Sequence, residues 1–593
     1  MRRTITINDC GKGLNADLLP AELELGVWSN VVNFRAKSGF MERWEGETSV
    51  TMSGVVFSSP PYFYDFLDGE EFVVVNGGAI VHYDWSSSTA TTITRYRASE
   101  TISTLNRLGA NSAEVTTGSA HGLATNDKVT VFGATESGYN EVDATITVTS
   151  STKFTYTTTN AIAANATVVG EYVVTSSSVT SSVSTADASK WSGGVFQGIA
   201  ILNDSANGIW YWNGDTSKKF RRFEFLSYKA DYCGIFREYL VQLQPTMSGT
   251  KYPYRVLWSS AAEPGSIPSS FTSSATNDAG FQDLPYAGPL LACLPLGDTN
   301  YLYSRNAIVA MRWVGGEFVF SFNKTADTGI VSPHAVCDVP GVGHVFVTPS
   351  LDVRLHQGGA TRSIADGFVR NSMREFIASA GGDDTKFLAC YNPQKNEVWI
   401  TPGEVVIGVF VLVWDIESGK WGKFDPGSST GYYTYLRRCL LPSGTTNKRI
   451  QSTIVGGKVA YLVKSHPESG DGTTIYGSDT CTLERTGLHM DIRDMMKTIH
   501  RSRWNMDGAT QASFLPPPVN PPSQGAVSIS HGSSRFPDTA PTYSSAATLT
   551  IGTTDYVSQR SLSGRYLAIK LTSSDYPIKV RSIDLDITTE GER

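Results

Sequence analysis

The densest run of cationic side chains in the sequence is Lys218-Lys219-Phe220-Arg221-Arg222. Lysine and arginine beside an aromatic ring are the residue types that contact nucleic-acid phosphates. The same run could instead meet an acidic neighbouring subunit, or lie on a solvated face, which is the commonest place for charge. We therefore regard Lys218, Lys219, Arg221 and Arg222 as candidates for contact with DNA or with another subunit, and treat the run at 500–503 in the same way.

Motifs that enzymes use are matched only formally. Residues 427–431 fit G-x-S-x-G, but a nucleophile elbow needs a strand before it and a helix after it, and Asp425-Pro426 precede this run. We expect a polar turn there, and an exposed turn at 381–384, which lacks the spaced ligands of a calcium loop. Residues 456–459 lack the glycine spacing of a phosphate loop. The sequence predicts no enzymatic activity.

Histidine and cysteine give no metal signature. His334, His344 and His356 stand in no H-E-x-x-H or i, i+4 pair. The seven cysteines form no C-x-x-C pair, and their number is odd. We expect buried free thiols in a chain that folds in a reducing cytoplasm, with no metal and no cofactor.

Composition favours strands and turns. Hydrophobic residues make up 40% of the 593 residues and charged residues 18%, with 55 Gly and 26 Pro. Serine, threonine and β-branched residues suit a pleated surface, and glycine suits the turns between strands. The net charge of −7 argues against tight nucleic-acid binding over the whole surface. We expect no signal peptide and no membrane span, because no apolar run reaches roughly 20 residues.

A strand–turn–strand unit recurs along the chain. Its apolar anchors are spaced about 45 to 58 residues apart from position 209 onward, which is close to the length of a four-stranded propeller blade. We predict an all-β fold, a degenerate β-propeller of about six to eight blades. The anchors are Val81, Ile209, Leu257, Ile308, Val353, Val411 and Ala460.

One gap, from Val81 to Ile209, is too long for a single blade. Residues 103–175 within it alternate Ile or Val with Thr, a period-two pattern of half-buried strands. Removing this roughly 70-residue block restores the blade spacing. We expect a small β-barrel or sandwich inserted into a propeller loop, where insertions are tolerated best.

The last part of the chain changes character again. Residues 491–497 could form one short helix, and a proline-rich connector follows at 515–523. Two alternating strands then close the chain. We divide the sequence into an N-terminal segment with the first blade or blades (1–102), the inserted domain (103–175), the remaining blades (176–483) and a C-terminal β-domain (484–593).

Three segments resemble the tail nozzle proteins, also called tail tubular protein B, and the related packaged-DNA stabilisation proteins of short-tailed bacteriophages. They are the opening run 13–46, the middle run 391–421 and the closing run 563–587. Residues 120–129, Ala-His-Gly-Leu-Ala-Thr-Asn-Asp-Lys-Val, also resemble a small β-domain of phage structural proteins.

This resemblance implies a structural virion protein, made in the host cytoplasm and located in the tail. It implies a hexameric ring below the portal and adaptor, contacts to tail fibres or spikes, and a channel that retains DNA and then lets it leave without sequence-specific binding. The alternative is a carbohydrate-binding or depolymerising propeller, for which the aromatic run at 210–212 could supply sugar-binding faces. A cellular propeller scaffold is a third hypothesis.

Overall fold

The fold is that of a computed structural model. It describes residues 2–590 except 45–46, 58–59, 68–70, 78, 95, 97–99, 176–189, 224–228, 317, 380–385, 404–409, 426–432, 434, 444–448, 458–461, 466–479, 509–525, 559–561 and 574–577. The chain forms two compact units, Met52–Lys324 and the combination of Met1–Thr51 with Thr325–Arg593.

The unit 52–324 contains four antiparallel sheets whose main strands follow one another in chain order. The first strands of these sheets lie side by side, as in the blades of a propeller. The strands are Tyr62–Phe66, Glu71–Asn76, Ala79–Asp84 and Thr89–Thr92 in blade 1; Trp191–Phe196, Ile199–Asp204, Gly208–Trp212 and Arg221–Arg222 in blade 2; Lys229–Phe236, Tyr239–Met247, Arg255–Trp258 and Gly280–Asp283 in blade 3, with Thr250–Lys251 added; and Leu290–Leu296, Thr299–Ser304, Ile308–Trp313 and Phe320–Ala326 in blade 4.

A closed six-stranded barrel is inserted between blades 1 and 2. Alternate side chains of its strands fill the interior, including Val129, Ile146 and Phe154. Its strands are Glu100–Gly109, Ser112–Thr117, Lys128–Phe132, Glu141–Ser150, Lys153–Thr157 and Glu171–Val174, with a 3₁₀ turn at Ser137–Tyr139.

The other unit contains three further blades, whose first strands also adjoin one another. An N-terminal strand, Glu47–Val50, completes blade 7 by pairing with its third strand. The strands are Val336–Val339, Gly343–Val347, Val353–His356 and Thr361–Ser363 in blade 5; Leu388–Asn392, Glu397–Thr401, Val411–Asp415 and Trp421–Phe424 in blade 6; and Tyr435–Ser443, Arg449–Gly457 and Leu462–Ser465 in blade 7.

Both ends of the chain build two more sheets in this unit. Blade 6 continues into an eleven-stranded sheet, called here the long sheet, and a six-stranded sheet lies beside it. The long sheet adds Arg2–Ile7, Phe34–Lys37, Phe40–Arg43, Met496–Gly508, Val557–Ser558, Ser563–Gly564 and Ile578–Glu590; the six-stranded sheet consists of Asn30–Val32, Cys481–Leu488, Ala526–Ser534, Thr542–Tyr543, Ala547–Thr550 and Tyr566–Ser573. A 3₁₀ turn at Pro20–Glu22 and a helix, Arg370–Ser379, complete the unit.

Local chemistry explains the short strands. Phe196 pairs with Ile199, so only Gln197 and Gly198 turn the chain between the first two strands of blade 2. Both have positive φ, 52° and 84°, which matches the type I′ hairpin geometry that glycine favours. The following strand, Ile199–Asp204, is buried along its whole length. A strand of a sheet whose two faces are both covered commonly carries apolar side chains on both faces.

The predicted all-β fold is confirmed: the described residues form four blades in one unit, three in the other, an inserted closed barrel, and C-terminal strands that share their sheets with N-terminal strands. The apolar anchors from Val81 to Val411 lie on the third strands of blades 1 to 6, and Ala460 lies outside the described residues. The proposed domain boundaries stay a prediction. The expected helix at 491–497 is wrong, because the chain bends there and enters the strand Met496–Gly508. The connector 515–523 also lies outside the described residues.

Candidate functional site

The predicted basic cluster lies on the outer edge of blade 2. Lys218 and Lys219 belong to the turn before the fourth strand, and Arg221 and Arg222 form that strand. Trp212 shapes the turn, since its Nε1 donates hydrogen bonds to the carbonyl oxygens of Asp215 and Lys218 at 2.9 and 3.2 Å. The Lys218 ammonium is 3.9 Å from the Asp215 carboxylate, and the two side chains are 45% and 41% exposed.

Arg221 contacts the inserted barrel. Its Nη2 donates a 2.6 Å hydrogen bond to Thr130 Oγ1 and lies 3.7 Å from the Asp143 carboxylate. Thr130 Oγ1 also accepts a hydrogen bond from the Asp143 backbone N–H at 3.1 Å. The guanidinium therefore bridges two barrel strands and attaches them to the edge of blade 2.

The neighbouring cations share this partly enclosed setting. Burial lowers the pKa of Arg222, and the Glu171 carboxylate of the barrel acts in the opposite direction. Burial also lowers the pKa of Lys219. Between them Phe220 is fully buried, and its backbone carbonyl accepts a hydrogen bond from the Tyr96 N–H at 2.9 Å. The edge of blade 2 thus joins the segment that leads from blade 1 into the barrel.

These contacts give the cluster a role within the chain. Arg221 and Arg222 act at the junction between blade 2 and the barrel, Arg222 through its electrostatic attraction to Glu171. The Lys218 side chain is instead half-exposed and lies near Asp215 in the preceding turn. Contact with DNA or another subunit stays a prediction for all four cations.

The other motifs that the sequence analysis considered do not come together in one site among the described residues. Residues 427–431 and 381–384 lie outside the described residues, as do 458–459 of the glycine-lysine run. Arg501, in the 500–503 run, forms an ion pair with Asp586 and lies 4.2 Å from the Tyr556 ring centroid.

The aromatic run at 210–212 forms the third strand of blade 2. Trp210 and Trp212 are 2% and 1% exposed. They are core residues, so their faces are not available for stacking on a sugar.

Two of the histidines, His344 and His356, are packed inside blade 5. His344 and His356 face each other across paired strands of blade 5, with ring centroids 6.2 Å apart, and both are fully buried. Burial, and secondarily His344, lowers the pKa of His356 to about 4. Within the described part of the chain, no group of three or more His, Cys, Asp or Glu side chains is arranged to hold a metal ion.

The expectation of buried free thiols is confirmed, since all seven cysteines are buried and none forms a disulfide. Burial raises the pKa of Cys10, Cys293 and Cys390 to about 12. A thiol with so high a pKa is a poor nucleophile. For the described residues, no helix combines the length and the apolar character needed to span a membrane.

Sequence reasoning missed a buried charge cluster where blade 6 meets the long sheet. Arg35 Nε lies 3.2 Å from Glu397 Oε1, and neither side chain is exposed. Lys37 Nζ lies 3.3 Å from the same oxygen and 2.5 Å from Asp415 Oδ1. Trp399 Nε1 donates to Glu397 Oε2 at 3.2 Å. The only signal in the sequence was the presence of charged residues within apolar strands. That signal does not reveal which charged side chains pair with one another.

A serine–histidine contact was also missed. Ser502 Oγ lies 2.8 Å from His531 Nε2 and accepts a hydrogen bond from Trp504 Nε1 at 2.9 Å. Ser502 and His531 are 0% and 2% exposed, so a substrate cannot reach the hydroxyl. This pair stabilises the contact between the long sheet and the six-stranded sheet.

The described residues also line a cavity between blades 5 and 6. Its volume is about 440 Å³, and its lining includes the buried core side chains of Leu355, Ile364 and Trp414. The turns that precede the fourth strands of both blades contribute to its rim.

Comparisons with known proteins show no family. No family model matches the chain, and no curated protein matches it. A solved structure of the computationally designed Ika8 protein is 10% identical, with 71% of this chain and 99% of that chain covered and a TM-score of 0.33. A solved mitotic checkpoint complex is 8% identical, with 71% and 96% covered and a TM-score of 0.34.

Proposed function

We propose that the chain is a non-enzymatic structural subunit of a short phage tail, a ring-forming nozzle that extends the DNA channel below the portal and adaptor. The observation that carries this proposal is the convergence of the three resembling segments. Each of the segments 13–46, 391–421 and 563–587 contributes strands to the long sheet, although more than 300 residues separate the first segment from the second. The first and third segments also contribute Asn30–Val32 and Tyr566–Ser573 to the six-stranded sheet. The three resembling segments therefore meet in the long sheet.

The junction inside that sheet supports a mechanical role. Phe34 pairs with Lys423, and Gly422 packs so closely on this strand that an added Cβ would lie 2.5 Å from the Phe34 carbonyl oxygen. The buried Arg35–Glu397 ion pair lies beside this contact. Together these contacts join the strands of blade 6 to the strands from the chain ends, as a subunit under mechanical stress requires.

An exposed apolar hairpin tip in the unit 52–324 supports self-association. Trp313, Val314 and Phe318 are 47%, 52% and 75% exposed. Exposed apolar side chains that cluster at one place commonly mark a protein-binding surface. We propose that this tip contacts a neighbouring copy in a closed ring, which the family resemblance implies to be a hexamer.

The proposed partners and location follow from the same role. The subunit would be located in the virion tail, next to the adaptor and the fibres or spikes, with DNA passing through the ring. Its net charge of −7 is compatible with a conduit, because an acidic chain does not hold a polyanion tightly. Retention of packaged DNA before ejection is part of this proposal.

Native mass spectrometry of the purified full-length chain, alone and with its adaptor, tests the ring. We expect a closed oligomer in at least one of the two samples. The variant Phe318→Ser should weaken assembly, whereas Leu108→Ser, an exposed apolar position on the barrel at 57% exposure, should not. A chain that stays monomeric alone and with the adaptor would contradict the proposal.

A further inference from the structure

Two cations and two carboxylates meet in the buried charge cluster where blade 6 joins the long sheet. The side chains of Arg35 and Glu397 are fully buried, that of Asp415 is 3% exposed and that of Lys37 is 18% exposed. Keeping four charges away from water is costly, and the cost falls if one cation and one anion combine into a neutral group. The positions of Lys37 and Asp415 allow that combination.

The Lys37 ammonium is fixed against the Asp415 carboxylate. Its Nζ lies 2.5 Å from Asp415 Oδ1 and donates a second hydrogen bond to the Lys395 carbonyl oxygen at 2.8 Å. The other carboxylate oxygen, Asp415 Oδ2, accepts a hydrogen bond from the Ser418 backbone N–H at 2.9 Å. Because Nζ contacts Oδ1, it is also next to Cγ, the carbon to which Oδ1 is bonded. Groups that are fixed so close together react far faster than the same groups free in solution.

Glu397 is placed to move a proton between these two groups. Its Oε1 lies 3.3 Å from Lys37 Nζ, and the residue is directly opposite Asp415 on the paired strand. Arg35 and the Trp399 indole fix the orientation of the Glu397 carboxylate. Trp399 is itself fully buried, so it shields this side of the cluster from bulk water.

We propose that the chain forms an intramolecular isopeptide bond, an amide between Lys37 Nζ and Asp415 Cγ, without an added enzyme or cofactor. One proton of Nζ passes directly to Oδ1, and a second passes to Oδ1 through Glu397. Nζ bonds to Cγ, the Cγ–Oδ1 bond breaks, and Oδ1 leaves as one molecule of water. Oδ2 becomes the amide oxygen, and the Ser418 N–H stabilises the negative charge that develops on it. Glu397 regains its initial charge and its ion pair with Arg35.

An exposed ion pair of similar geometry offers a control within the same chain. Lys251 Nζ lies 2.6 Å from Asp231 Oδ2, but the two side chains are 49% and 37% exposed. Among the described residues, no second carboxylate lies within ion-pair distance of Lys251. Water solvates this pair, so its condensation would relieve no buried charge. We expect Lys251 and Asp231 to remain an ion pair.

Mass spectrometry of the purified full-length chain, kept folded at neutral pH for several days and then reduced and denatured, tests the bond. We expect an intact mass that is lower than the sequence mass by one water. Trypsin should release a branched peptide in which 36–43 is joined to 396–420, because trypsin does not cleave after an acylated lysine. Residues 231 and 251 should appear in separate linear peptides.

Three substitutions test the roles of the side chains. Lys37→Arg should abolish the branched peptide, because the guanidinium keeps the positive charge but does not lose a proton to become a nucleophile. Glu397→Gln should slow bond formation about 100-fold in the folded fraction, because it removes the proton acceptor. Lys12→Arg, at an exposed ion pair with Glu24, is the matched control and should leave the branched peptide unchanged.

An intact mass equal to the sequence mass, together with cleavage after Lys37, would overturn the proposal and leave the cluster as an ion-pair network only. A branched peptide that forms at the same rate in Glu397→Gln would overturn the role given to Glu397. The main measurement uses the unsubstituted chain, so it does not depend on whether a variant folds. The bond is independent of ring assembly, so failure of either proposal leaves the other standing.

Discussion

At the scale of single residues, the Arg35–Glu397 pair is the most consequential contact. Both side chains are fully buried, and Lys37 and the Trp399 indole also contact the Glu397 carboxylate. A buried ion pair adds little stability compared with an apolar pair of the same shape, but removing one partner leaves the other charge unpaired away from water. The pair therefore makes the junction between blade 6 and the long sheet specific in geometry.

Glu397→Gln is expected to destabilise the unit by about 3 kcal/mol, because Arg35 would remain charged and buried. The urea midpoint, followed by tryptophan fluorescence, measures this loss. Glu417→Gln, on an exposed turn of the same blade, is the matched control and should change the midpoint little. Equal midpoints for both variants would rule out the role given to the buried pair.

His356 makes stability depend on pH. Burial and the nearby His344 lower its pKa to about 4 in the folded state, whereas an unperturbed histidine titrates near 6.5. Between these values the unfolded chain binds a proton that the folded chain does not, so stability is complete above pH 6.5 and is lost as the pH falls toward 4. The loss from this side chain is at most about 1.4 kcal/mol per pH unit.

His356→Gln should make the decline in urea midpoint between pH 7 and pH 5 shallower than in the unsubstituted chain. His531 has a similarly lowered pKa of about 4, caused by burial, so part of the slope should persist. Parallel pH profiles for the variant and the unsubstituted chain would refute the assignment to His356.

At the scale of elements, the inserted barrel is joined to the blade whose strands follow it. Arg221 bridges Thr130 and Asp143 on neighbouring barrel strands. Arg222 is attracted electrostatically to the Glu171 carboxylate of the barrel. These side chains belong to the cluster that the sequence marked for DNA or subunit contact. Their contacts attach the inserted barrel to blade 2 through side chains, in addition to the chain segments that connect the two.

Arg221→Ala is expected to loosen the barrel from blade 2 while the barrel itself stays folded. Loss of a short charged hydrogen bond and a neighbouring ion pair costs about 1 to 3 kcal/mol at a partly buried site. Hydrogen–deuterium exchange should rise at 128–132 and 141–145 but stay low at 153–157, a barrel strand away from Arg221. Lys218→Ala is the control, because Lys218 belongs to the same cluster but its side chain is half-exposed and its ion-pair partner, Asp215, lies in its own turn. Unchanged exchange at 128–132 would contradict this role for Arg221.

The sequence predicted the type of each element better than it predicted which residues contact one another across the fold. Alternation of Ile or Val with Thr predicted the barrel, and apolar anchors marked third strands of the blades, because both signals depend on neighbouring residues. The helix Arg370–Ser379 was not predicted. Its first N–H groups, from Arg370 and Asn371, donate to the Asp17 carboxylate, which is 353 residues away in sequence from Arg370. A cap supplied by such a distant residue leaves no local pattern.

The candidate sites show the same limit. Lys218, Lys219, Arg221 and Arg222 could be selected from the sequence as a dense basic run, but their contacts with the barrel depend on a fold that brings residues 130, 143 and 171 to the same edge. The cavity between blades 5 and 6 combines turns more than 50 residues apart and has no sequence signature.

At the scale of the whole molecule, both chain ends strengthen the same unit. An N-terminal strand completes blade 7, and N- and C-terminal strands extend blade 6 into the long sheet. The strands at the two ends also pair with each other, with Arg2 opposite Thr588 in an antiparallel ladder. Each end is therefore held by a continuous set of backbone hydrogen bonds, which is compatible with the proposed structural role.

Electron cryomicroscopy of the short-tailed phage particles to which the proposal assigns this chain tests the central proposal most directly. The account predicts a ring of six copies below the portal and adaptor, with a channel along the ring axis wide enough for duplex DNA. Particles that lack the chain, or that carry it as isolated copies away from the DNA path, would contradict the account.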